Sequence, residues 1–220
     1  MNRFPIAPEG WPFVAIPAGI AALLTLAGRR GLAAPFAAAS LASLGFFRDP
    51  DREVPSIPGG VLAPADGRVM QVDEVSDPFV GPAVRVAIFL SPLDVHVNRA
   101  PIGGLVAGVV YSQGRFVPAY KPEAGAGNER CMVHLQGESA RVTVTQIAGV
   151  LARRIVCRVA PGDKLAVGER FGMIRFGSRL DVYLPGGVKP VVAEGQTAIG
   201  GETVLADLRL PDAERSYRVG

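Results

Sequence analysis

The sequence predicts a mainly β, barrel-sandwich-like antiparallel domain preceded by an N-terminal hydrophobic helical membrane anchor. Three observations predict it. Apolar residues make up 49% of the 220 residues, and most of the excess lies in the first fifty positions. Beyond Pro50 the character changes abruptly, with Pro and Gly frequent and short β-branched runs alternating with turn signals. No repeat of fixed period interrupts that pattern.

Residues 11–28 carry no charge, Arg29 and Arg30 interrupt, and a second uncharged run covers 31–47. Each run approaches the roughly 17–25 residues that a helix needs to cross a bilayer. Pro12, Pro17, Gly19 and Pro35 are better tolerated there than in a soluble helix. A second apolar run directly behind the first argues against a cleaved signal peptide; a pair of core helices is the bland alternative. A spanning hairpin with both ends in the cytosol would put Arg29 and Arg30 on the far side, against the positive-inside tendency. A monotopic or re-entrant pair therefore competes with it, and the number of crossings stays open.

Strand-sized runs follow at 67–72, 83–89, 105–111, 130–135, 140–147, 154–159, 172–176 and 179–184. Each is bounded by Gly, Pro or Asp, as in an all-β sandwich or barrel. Two stretches, 60–69 and 159–165, are similar to turn–strand elements of barrel-sandwich domains such as lipoyl and biotinyl carriers. The expected organisation is a hydrophobic segment at 1–47, a β-rich domain at 48–206 and a charged, loosely ordered tail at 207–220.

The net charge of +3 is mildly basic, with no dense Lys/Arg run or aromatic–basic interleaving of the kind that marks a nucleic-acid binder. Cys131 and Cys157 form no CxxC and read as reduced, buried small hydrophobes. His96 and His134 are too few and too separated for a metal site.

The chemistry, if any, centres on Gly177–Ser178, a pair lying between two apolar runs. By spacing alone it reads as a hairpin turn or bulge. The sharper reading is self-cleavage: a serine hydroxyl can attack the carbonyl before it if the backbone is bent and held, and Gly177 leaves the approach clear. The resulting ester can eliminate and hydrolyse to a pyruvoyl group. Asp66, before Gly67, is by itself a turn residue. A lone His such as His96 is most often a satisfied core or surface histidine, although its ordinary pKa near 6.5 suits proton transfer.

Five segments shift that balance: 46–50 (FFRDP), 63–67 (APADG), 89–101 (FLSPLDVHVNRAP), 127–130 (GNER) and 176–185 (FGSRLDVYLP). Together, in order and spacing, they resemble the short form of the pyruvoyl-dependent phosphatidylserine decarboxylases over about residues 45–205. The resemblance implies autocatalytic cleavage between Gly177 and Ser178 into a large and a small chain. It implies a pyruvoyl cofactor made from Ser178, which serves as the electron sink when carbon dioxide leaves phosphatidylserine. No metal is implied. It casts His96 as the proton donor or acceptor and Asp66 as a charge partner or base for self-cleavage. Longer bacterial members carry a second His three residues after the first, where this chain has Arg99, so their arrangement for processing does not transfer intact. Asn128, Glu129 and Arg130 read as structural or substrate-positioning, with an exposed charged turn as the alternative. His134 is left as structural.

Arg99 and Arg115 are the expected holders of the lipid phosphate. The implied partners are a phosphatidylserine substrate and a membrane, expected to be the inner cell membrane with the catalytic domain on its cytoplasmic side; nucleic acid is not among them, and oligomerisation is left open. The competing readings are decarboxylation of another serine-headed, ether-linked lipid, and a membrane-tethered carrier module of barrel-sandwich type. The second needs a modifiable lysine in a hairpin flanked by Met or Ala, a context that neither Lys121 nor Lys189 provides.

Overall fold

A computed structural model describes residues 5–121, 123–150, 154–175 and 178–209. The chain divides into two compact units, Met1–Asp51 and Arg52–Gly220.

The first unit is helical. After a 3-10 turn at Pro8–Gly10, α1 spans Trp11–Leu26 and α2 spans Arg30–Phe46, each with an internal proline, Pro17 and Pro35. Gly28, at φ +76°, makes the left-handed turn between them. The helices pack on each other, and the buried Ser40 hydroxyl donates to Val14 O at 2.9 Å. Phe47 stacks on Phe13 with centroids 5.2 Å apart, closing the open end of the hairpin. Pro8–Leu26, 19 residues of mean hydropathy 1.4, is long and apolar enough to cross a membrane.

The second unit is antiparallel β with one four-residue helical turn, α3 (Ala124–Gly127). Its longer strands are β2 (Gly67–Asp77), β3 (Gly81–Leu90), β5 (Gly104–Ser112), β6 (Arg130–Gln136), β7 (Arg141–Ala148), β10 (Arg170–Ile174) and β11 (Ser178–Pro185). Shorter ones are β1 (Gly60–Leu62), β4 (Val97–Arg99), β8 (Ile155–Cys157), β9 (Lys164–Leu165), β12 (Thr197–Ala198) and β13 (Val204–Asp207). Eight strands form a curled half-barrel in the order β12-β2-β3-β11-β7-β6-β5-β9; β4-β10-β8 and β1-β13 make two smaller sheets.

All eight expected strand runs are strands, at slightly shifted bounds. The additional strands, β1, β4, β9, β12 and β13, are two to four residues long, too short to display alternation in sequence. Residues 210–220 of the expected tail, and positions 176–177 in the cleavage motif, lie outside the described residues.

Alternation decides what each face buries. From β11, Leu180, Val182 and Leu184 point into a core shared with Val86, Ile88 and Leu90 of β3, Val142 and Val144 of β7, and Phe171 and Ile174 of β10. Each such large side chain contributes about 1.5–3 kcal/mol on full burial. Turn chemistry supplies the hairpins. Between β2 and β3, Asp77 Oδ1 accepts from the backbone N–H groups of Phe79 and Val80 at 3.0 and 2.9 Å.

The cysteines are free thiols as expected, but only Cys131 is fully buried; Cys157 is half-buried. Each thiol shifts the other: the Cys131 thiol pulls Cys157 down to about 7, and Cys157, together with burial, pushes Cys131 up.

Candidate active site

Ser178 is the first residue of β11, between Leu90 of β3 and Ala148 of β7 in register. The residue is fully buried, and its Oγ has no hydrogen-bond partner among the described residues. A buried hydroxyl without a partner costs about 1–3 kcal/mol, so it marks a place where stability has been conceded. Ser178 shares the inward face of β11 with Leu180, so it points to the interior rather than to solvent.

His96 comes to the same end of the sheet by another route. The chain leaves β3 at Leu90 and makes a tight turn, in which Asp94 N–H donates to Ser91 O at 2.9 Å. Asp94 Oδ2 accepts from Ser91 N–H at 2.7 Å, and the chain then enters β4. His96, fully buried, lies opposite Ile174, the last residue of β10 and four positions before Ser178; Ile174 N–H donates to His96 O at 3.4 Å. His96 Nδ1 lies 2.9 Å from Asp94 O. A carbonyl only accepts, so Nδ1 carries the hydrogen, and in the neutral ring Nε2 is the basic nitrogen.

Asp66 precedes β2. Register sets Arg68 beside Phe89 and Phe89 beside Arg179, so Asp66 lies at the Ser178 end of the sheet, two strand positions across. That is about 10 Å by strand spacing. Gly67 permits this approach, because a Cβ there would sit 2.2 Å from Phe89 O. Asp66 accepts from Arg52 Nη2 at 2.7 Å and from Gly200 N–H at 2.8 Å. Burial nevertheless raises its pKa above 3.8, helped by the Asp94 carboxylate and opposed by Gly200 N–H and Arg52.

The two arginines expected to hold phosphate part company. Arg99 is buried in β4, donates to Gly168 O at 3.1 Å and packs on Gly201, beside the Gly200 amide that binds Asp66. Arg115 is exposed on the segment 113–128, its backbone bridged to Asn128. Asn128 is no exposed turn. It is fully buried, exchanges bonds with Val117 N–H and O at 3.1 and 2.8 Å, and donates to Ala148 O at 2.7 Å. It thereby clamps segment 113–128 onto the strand residue opposite Ser178.

Sequence reasoning missed two buried polar groups. On the outward face of β11, Arg179 and Asp181 are both fully buried and joined by a bidentate pair of bonds at 2.6 and 2.8 Å. Opposite charges two positions apart in a strand share a face, and that spacing was the available signal. On the inward side, Gln146 Nε2 donates to Asn98 Oδ1 at 2.8 Å, while Asn98 Nδ2 and Gln146 Oε1 have no partner among the described residues. No sequence spacing joins residues 98 and 146. His134, left as structural, donates from Nδ1 to Thr143 Oγ1 at 2.9 Å, because that hydroxyl gives its own hydrogen to Asp77 Oδ1 at 2.9 Å.

A family model described as phosphatidylserine decarboxylase matches residues 41–206. A phosphatidylserine decarboxylase proenzyme of Oleidesulfovibrio alaskensis is 44% identical over 211 residues, covering 95% of this chain and 97% of the relative. One of Nitrosomonas europaea is 47% identical over 204 residues, covering 92% and 94%. Another, of Mycobacterium tuberculosis, is 47% identical over 211 residues, covering 93% and 90%.

Proposed function

The chain belongs to the phosphatidylserine decarboxylase family and is a decarboxylase, and from that premise we propose that it matures by cutting itself between Gly177 and Ser178. The observation that carries the proposal is the buried Ser178 hydroxyl at the head of a central strand, without a hydrogen-bond partner among the described residues. In the cleavage step Ser178 Oγ–H adds to the Gly177 carbonyl, and the peptide C–N bond gives way to an ester. Loss of the Cα hydrogen as a proton then breaks the Cβ–Oγ bond, releasing Gly177 as a carboxylate. Water finally replaces the nitrogen, and one ammonia leaves. The pyruvoyl group so made supplies an electrophilic carbonyl and an electron sink for decarboxylation.

The other roles fall to residues gathered at the same end of the sheet. Asp66, its carboxyl already biased toward holding a proton, serves as the base or charge partner for cleavage. Arg99, a guanidinium that stays protonated, cannot act as a base, so Asp66 or His96 supplies the proton transfers of that step. His96, oriented by Asp94 O, presents Nε2, which first takes up a proton and then delivers it to the carbon that loses carbon dioxide. Arg115 is positioned to meet a lipid phosphate from an exposed site, and Arg99 only by exchanging its bond to Gly168 O. The apolar helix Pro8–Leu26 supports attachment to a membrane, which we assign to the inner cell membrane with the catalytic unit facing the cytoplasm.

An intact mass spectrum tests the reading. The wild-type chain is expected as two pieces, the smaller beginning at position 178 and lighter by one ammonia than its serine form. Ser178→Ala should remain one chain of 23.0 kDa and be inactive. A cleaved, active Ser178→Ala protein would remove Ser178 from the mechanism.

A further inference from the structure

Three large apolar side chains stand exposed at the end of the half-barrel where Leu90, Ser178 and Ala148 lie side by side. Leu93, 83% exposed, is at the tip of the 91–94 turn that precedes His96. Tyr120, 60% exposed, stands edge-on to Phe89, the strand neighbour of Arg179, with ring centroids 6.2 Å apart. Val150, 47% exposed, follows Ala148 by two residues. A single exposed apolar residue needs no explanation, but three around one buried hydroxyl do. Leu93 is also held there: the two bonds between Ser91 and Asp94 close its turn, so little freedom remains to be lost on docking.

The charges at this end favour an anionic surface. Arg68, Arg115 and Arg154 are exposed. Asp66 is offset by Arg52 at 2.7 Å and Glu123 by Lys121 at 3.8 Å, which leaves Asp94 and Glu129, held by Ser91 N–H and the Tyr111 hydroxyl, as the carboxylates that these arginines outnumber. Separate apolar tips on turns, flanked by cations, suit the boundary between head groups and acyl chains better than a flat protein partner, which needs a continuous patch.

We propose that Leu93, Tyr120 and Val150 form a docking rim that enters the surface of an anionic phospholipid bilayer and sets Ser178 at the depth of the serine head group. This rests on the reading of Ser178 as the reacting residue. It assigns a second membrane contact to the catalytic unit itself, besides the apolar helices. Its task is delivery: a diacyl substrate stays in the bilayer, so a buried centre works only if its mouth is pressed against the surface.

The test compares the full-length wild type with Leu93→Ser on two substrates: phosphatidylserine in phosphatidylcholine vesicles, and a short-chain phosphatidylserine dissolved as monomers. The substitution is expected to lower kcat/KM on vesicles by about tenfold and to leave turnover of the monomeric lipid within about twofold. Leu93→Trp should restore vesicle turnover, since an aromatic ring also seats in the interface. Equal effects on both substrates, or none on vesicles, would overturn the rim. So would a change in oligomeric mass on Leu93→Ser, which would make this face a contact between copies. An uncut wild type that turns over neither substrate would instead overturn the reading of Ser178.

Discussion

At Asp66 two influences oppose each other, and burial wins. Its side chain is 18% exposed and salt-bridged to Arg52 at 2.7 Å, an arrangement that ordinarily lowers a carboxyl pKa, yet desolvation carries it above 3.8. A base works in its deprotonated form. Raising its pKa means that the working form is lost, on acidification, at a higher pH than for an ordinary carboxylate. The rate of self-cleavage of freshly folded precursor should therefore fall on acidification with a midpoint above 3.8, and Asp66→Asn should abolish that dependence along with most of the rate. A pH-independent rate down to an ordinary carboxylate midpoint would count against Asp66 as the base. At this scale the motif residues Ser178, His96 and Asp66 could be picked out in the chain, because each carries a reactive group in a recognisable setting. The environment that tunes them could not, because Arg52, Asp94 and the Gly200 amide reach Asp66 only through the fold.

β11 combines an apolar inward face with a charged outward one, and the second is the more fragile. Arg179 and Asp181 are both fully buried, and Arg85 Nη1 lies 3.9 Å from Asp181. Removing the carboxylate alone strands a guanidinium without compensation, at a cost of about 3–5 kcal/mol. Asp181→Ala is therefore expected to lower the denaturant midpoint sharply. Replacing both partners together, by Arg179→Met and Asp181→Leu, should cost much less, because no uncompensated charge remains. Equal losses in the single and double variants, measured by urea unfolding, would mean that packing rather than charge sets the stability there. β11 was visible beforehand as an apolar run at 179–184. Its central place between β3 and β7 was not, since pairing partners 88 to 102 positions away in β3 and 30 to 40 away in β7 leave no local trace.

For the whole molecule, the split into two compact units, Met1–Asp51 and Arg52–Gly220, marks where attachment can be tested apart from chemistry. Ile16 and Leu23 are exposed along α1. Lysine at a bilayer-embedded position costs about 2.5–3.5 kcal/mol on insertion scales. Ile16→Lys with Leu23→Lys should move the protein from an alkali-resistant membrane fraction toward the soluble fraction without preventing cleavage at 177–178; unchanged fractionation would leave α1 without an anchoring role. The amino-acid sequence by itself determined the class of the fold, the two apolar helical runs, eight of the strands and the family-bearing motifs. These depend on local periodicity, on turn chemistry and on residues close together in the chain. Only the tertiary structure decided that Ser178 is buried without a partner among the described residues, that Asn128 is a clamp and not an exposed turn, and that Gln146 meets Asn98. Those facts follow from which strands lie side by side, and strand order is set by the burial of one shared core, a property of the whole chain.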